Sequence, residues 1–103
     1  MRKMKCLEII ELRTSDMDSK NLDKILIRFM DDLNTEHENY KVKLYRHLTV
    51  KTDWSFHIQI QTGINTTSPS QLGLRIASAL KEFGLVYHSV WSEEKRRGKS
   101  YTE

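Results

Sequence analysis

Two histidines, His47 and His57, each lie in a stretch where apolar and polar residues alternate. Imidazole is suited to proton transfer near neutral pH and to metal ligation. If Lys51-Thr52-Asp53 closes a hairpin between the two stretches, His47 stands opposite His57 with Cβ atoms about 4.5–5.5 Å apart. The same register sets Tyr45 opposite Gln59 and Thr49 opposite Ser55. Two imidazoles need a further ligand even in an open catalytic metal site. His88 with Glu8 or Glu11 are the nearest suppliers. Otherwise the pair belongs to a semi-polar interface or a ligand site, bonded to Tyr45, Gln59 or water. We take the second reading. Tyr45, His47, His57, Gln59 and Trp91 are candidate ligand or interface residues, the catalytic residues are unknown, and neither a metal nor a cofactor is expected.

Other reactive types read as structure. Trp54 is in phase with Phe56 and Ile58 and belongs to a core, whereas Trp91 could line a pocket for a flat ligand. The lone cysteine, Cys6, excludes an intramolecular disulfide and a cysteine-based zinc site, and on a buried strand it is an inert thiol. The chain has no Cys-x-x-Cys, Gly-rich phosphate loop, Ser/His/Asp order or His-Glu-x-x-His. Residues 54–60 lack the glycine and basic residues of an RNA-recognition signature.

Six elements must position these residues. The first strand spans residues 4–13 and is apolar on both sides, so that both faces are buried or a bulge shifts its phase. Leu22, Ile25, Leu26, Phe29, Met30 and Leu33 form one helical stripe, with Asp18 and Ser19 as candidate N-caps. Residues 42–50 alternate with Val42, Leu44, Leu48 and Val50 facing inward and Arg46 breaking the series. Residues 54–60 send Trp54, Phe56, Ile58 and Ile60 to the core. Ser68-Pro69 opens a second helix carrying Leu72, Ile76, Ala79, Leu80 and Phe83. Gly84 is expected to end it in a left-handed conformation, and Gly73 inside it marks close packing. Residues 85–91 form the fourth strand.

The 103 residues suit one domain, residues 1–94, with residues 95–103 as a basic, disordered tail. That tail holds four basic residues and one acidic residue; removing it from the totals of 17 and 14 leaves 13 of each. The body is thus neutral, and nucleic-acid binding is expected only through the tail, because phosphate attraction needs positive charge. No apolar run is long enough for a transmembrane helix, and the N-terminus does not resemble a signal peptide. No membrane association is expected, and the cysteine usage suits a reducing, cytoplasmic setting.

The order β-α-β-β-α-β predicts an α+β, ferredoxin-like domain. Its four-stranded antiparallel sheet, in strand order 4-1-3-2, carries both helices on one face. The other face needs a cover, and a two-fold homodimer supplies one. Order, length and the two-sided first strand resemble the dimeric α/β-barrel superfamily, which includes antibiotic-biosynthesis-monooxygenase-like and stress-responsive small proteins. The resemblance covers the topology of residues 4–91 and carries over no functional residue. It implies two sheets packed face to face as a dimeric barrel; some members are cofactor-independent monooxygenases and some bind or degrade haem. The leading expectation is a dimeric binding or assembly module with a small-molecule pocket. The alternatives are a monooxygenase-like enzyme acting on a small aromatic or polyketide-type substrate, and a nucleic-acid accessory protein using its tail.

Overall fold

A computed structural model describes residues 6–15, 21–38, 40–60 and 70–93. The elements are β1 (Cys6–Arg13), α1 (Leu22–Glu36), β2 (Tyr40–Arg46), β3 (Asp53–Ile60), α2 (Gln71–Leu80) and β4 (Leu85–Ser92). They form one antiparallel sheet in the order β2-β3-β1-β4, with β2 and β4 at its edges. Both helices pack on the same face, giving the expected α+β ferredoxin-like arrangement. Leu22, Leu26 and Leu33 of α1 and Leu72, Ile76 and Leu80 of α2 share one core with Ile10, Leu12, Phe56 and Ile58. Phe29 meets Phe56 edge to face, with ring centroids 5.8 Å apart.

β1 has no bulge, and its outer face is apolar only in its first half, where Leu7 and Ile9 precede Glu11 and Arg13. It pairs continuously with both neighbours, and Cys6, Glu8, Ile10 and Leu12 alternate into the core. Its apolar series looks irregular because a carboxylate, Glu8, occupies a core position.

The β2–β3 register also departs from expectation. Leu44 pairs with Phe56, Tyr45 with Ser55 and Lys43 with His57, so β2 ends at Arg46 and His47 does not face His57. The phase of the two strands is preserved and the pairing slides by four residues. Arg46 is the physical reason. The expected register would put Arg46 opposite Ile58, deep in the helix-covered face, where an unpaired guanidinium is strongly disfavoured. The observed register moves Arg46 to the end of the sheet, stacked over the Trp54 ring at 4.4 Å and donating from Nε to the Lys51 carbonyl at 2.9 Å. The concession is that Leu48 and Val50 leave the strand and stand exposed.

At the β2 edge, Asn34 of α1 donates from Nδ2 to the Val42 carbonyl and accepts from the Val42 amide, both at 2.9 Å. The side chain thus occupies backbone groups that an edge strand would leave open to another chain.

α2 is capped by Ser70, whose Oγ accepts from the Gly73 amide at 2.9 Å. Ser68 and Pro69, the expected start, lie outside the described residues, as do Asp18, Ser19 and the tail. Ala77 rather than Ala79 is buried on α2. The helix ends at Leu80 and a turn follows. Gly84 is required by a close approach to the Arg13 carbonyl, where a Cβ would collide, and not by a left-handed backbone.

Candidate ligand cleft on the open sheet face

The face away from the helices is built from alternate residues of all four strands. Its rows run Lys41–Gln59–Leu7–Trp91, Lys43–His57–Ile9–Ser89 and Tyr45–Ser55–Glu11–Tyr87. No described element covers it. Leu7 and Ile9 are half-buried by their neighbours, while Tyr87 is 49% and Trp91 59% exposed.

The sequence candidates fall into three places on this surface. Tyr45 and His57 are diagonal neighbours with ring centroids 4.4 Å apart. Burial lowers the His57 pKa below its ordinary 6.5, and the Glu11 carboxylate opposes that shift. The ring is therefore biased toward the neutral form. Gln59 and Trp91 lie at the other end of the face, flanking Leu7, and the Trp91 indole donates to Ser89 Oγ at 2.9 Å. His47 is in the loop after β2. Its Nδ1 accepts from the Val50 amide at 2.9 Å and the Thr49 amide at 3.2 Å. Two donors on Nδ1 select the tautomer with hydrogen on Nε2, so His47 presents a donor outward.

A cleft of about 550 Å³ opens where β1 and β3 meet the loop, and its walls include Glu11, Arg13, Tyr45, His47, Val50 and Ser55. It is in the size range of small-molecule sites. The Ser55 hydroxyl is buried without a hydrogen-bond partner. Arg13 is held by Asp53, Nε to Oδ2 at 3.6 Å, and lies over the Tyr87 ring at 5.3 Å. Hydroxyl and imidazole donors thus stand beside aromatic surface, which suits a flat molecule bearing hydrogen-bond acceptors. Trp54 is buried in the core, as its phase predicts, and Cys6 is a buried free thiol.

A second polar cluster lies beneath the other face. Glu8 is fully buried and accepts from the Ser70 amide at 3.1 Å, from the Ser70 hydroxyl and from His88 Nε2 at 2.9 Å. Gly73 closes the arrangement, because a Cβ there would run into the Glu8 carboxylate and lie 3.0 Å from His88 Nε2. Alternation alone could have located Glu8, since it shares the parity of Cys6, Ile10 and Leu12. Its partners come from α2 and β4 and have no local signal. The group holds the first turn of α2 onto the sheet: a buried carboxylate must be hydrogen-bonded, and here the helix N-terminus helps to meet that need. Glu8 and His88 offer two metal-type donors, and among the described residues no three His, Cys, Asp or Glu side chains converge. No helix among the described residues is long and apolar enough to cross a membrane. No family profile, curated protein or solved structure matches the chain.

Proposed function

We propose that the protein is a homodimeric binding module whose two copies pack open face to open face. The cleft beside the β2–β3 loop receives a small flat ligand at the dimer seam. The observation that carries this is the open face itself. On its β1–β4 half, opposite the helix layer, Leu7 pairs with Trp91 and Ile9 lies diagonal to Trp91 and Tyr87, with Ser89 and Glu11 in the same block. Contiguous apolar surface of this kind marks an interaction site. Self-association through a two-fold axis is the commonest solution for one patch on one chain. Light scattering after size exclusion at micromolar concentration tests the dimer. Wild type is expected at twice the chain mass and Trp91→Glu at the chain mass, with the same far-ultraviolet circular dichroism. A wild-type monomer refutes the reading. For the ligand, a thermal-shift screen with flat aromatic compounds and haem should raise the melting temperature, since native-state ligands stabilise by mass action.

A second reading is a cofactor-independent monooxygenase-like enzyme acting on a small aromatic or polyketide-type substrate. It is favoured by the cleft's combination of the buried, unpartnered Ser55 hydroxyl with the His47 donor. Oxygen consumption with hydroxylated aromatics that score in the thermal-shift screen tests it. Binding with no turnover leaves the module reading in place.

A further inference from the structure

The two edges of the sheet are built differently. β2 carries Lys41, Lys43 and Arg46, and Asn34 occupies the Val42 amide and carbonyl. Charged side chains and occupied backbone groups are how a sheet edge resists a further strand. β4 has neither device. Its residues, Leu-Val-Tyr-His-Ser-Val-Trp-Ser, include no Asp, Glu, Lys, Arg, Pro or Gly. Among the described residues β4 pairs with β1 alone, and no side chain takes its outward amides and carbonyls. Five of its eight residues are aliphatic or aromatic, yet none is buried. Leu85, Tyr87 and Trp91 are exposed, and Val86 and Val90 are half-buried on the other face. A long, uncharged, apolar strand left at an edge is a template for pairing.

We infer that β4 pairs with the β4 of a second copy, antiparallel about a two-fold axis at Ser89. The sequence of the strand chooses this occupant and this register. An axis at Ser89 sets Ser89 against the partner's Ser89, His88 against the partner's Val90 and Tyr87 against the partner's Trp91. The two-fold makes the Tyr–Trp pair twice, on the open face, and puts a small side chain at the axis. Cross-strand aromatic pairs of this kind stabilise a sheet. An axis at His88 would instead oppose imidazole to imidazole and Tyr87 to a serine. An axis between two residues would oppose side chains of different faces. The ends of the chain are poorer occupants. Residues 1–5 (Met-Arg-Lys-Met-Lys) and 95–99 (Lys-Arg-Arg-Gly-Lys) are basic, and β4 offers them no carboxylate. The contact runs along the sheet edge, so it does not rest on the packing of open faces proposed above.

The test is residue-resolved hydrogen exchange of the full chain by mass spectrometry, above and below the dissociation constant found by sedimentation equilibrium. In an antiparallel edge strand alternate amides are bonded to the neighbour and the others point outward. The outward amides of β4 are expected to exchange freely in the monomer and about tenfold or more slowly in the dimer. Ser89→Lys sets two ammonium groups against each other at the axis, while in the single chain position 89 is exposed. It should raise the dissociation constant by about tenfold or more and restore fast exchange, with unchanged far-ultraviolet circular dichroism. A dimer whose outward amides exchange as fast as in the monomer associates elsewhere, which overturns the edge contact and leaves the face-to-face reading standing. A chain that stays monomeric overturns both. Outward amides that are slow at every dilution are held within one chain, and that too overturns the inference. Slow exchange that survives Ser89→Lys overturns the axis at Ser89.

Discussion

Gly73→Ala separates two physical effects of opposite sign. Gly73 is the third residue of α2, and helix propensity alone assigns the substitution a gain of about 1 kcal/mol. The tertiary structure assigns it a loss. The new methyl would occupy the position of the Glu8 carboxylate, whose Oε2 accepts from His88 and from the Ser70 amide. Either the carboxylate turns away or α2 lifts, and one or two bonds to a charged group are lost at about 1.5–3 kcal/mol each. After subtracting the propensity gain, Gly73→Ala should destabilise by about 2 kcal/mol, roughly 8–16 °C in melting temperature for a domain of this size. Urea unfolding followed by circular dichroism measures it. The cycle is completed with Glu8→Ala, itself a destabilising change because it removes a buried, hydrogen-bonded side chain. In that background the main obstacle is absent and only His88 Nε2, 3.0 Å from the new Cβ, must give way, so Gly73→Ala should recover part of its propensity gain. A single variant as stable as wild type, or a double variant without the sign reversal, refutes the role assigned to Glu8.

Further outcomes follow from named residues. Replacing Arg46 by valine removes the charge that excludes the slipped register, so Leu48 can compete for the place opposite Phe56; hydrogen exchange should find the loop amides of Thr49 and Val50 less protected, and unchanged protection contradicts the account. The His57 pKa lies below 6.5 because burial disfavours the cation, which makes its contribution to stability present above that pH and lost as pH falls through the folded-state value. Glu11→Gln removes the opposing carboxylate and should lower the His57 pKa further, as read by proton NMR titration; a rise would be inconsistent with the assigned causes.

The alternation of residues 54–60, the helical stripe from Leu22 to Leu33 and the glycine and proline punctuation determine the order of elements, and with short connections they determine the sheet topology. These are local signals, because strand and helix periods are written residue by residue. They also place Tyr45, His57 and Gln59 on one face, since parity along a strand does not depend on its partner's register, whereas the phase of β4, and with it the place of Trp91, was decided by the pairing with β1. Only the tertiary structure decided the pairing. Registers differing by an even number of residues bury the same phase, and what separates them is where a single guanidinium comes to rest. Tertiary structure likewise decided that His47 braces a loop while His57 packs against Tyr45, and that Glu8 stands in the core. A buried carboxylate is tolerable only where distant partners converge on it, and Ser70 and His88 lie more than sixty residues away in the chain.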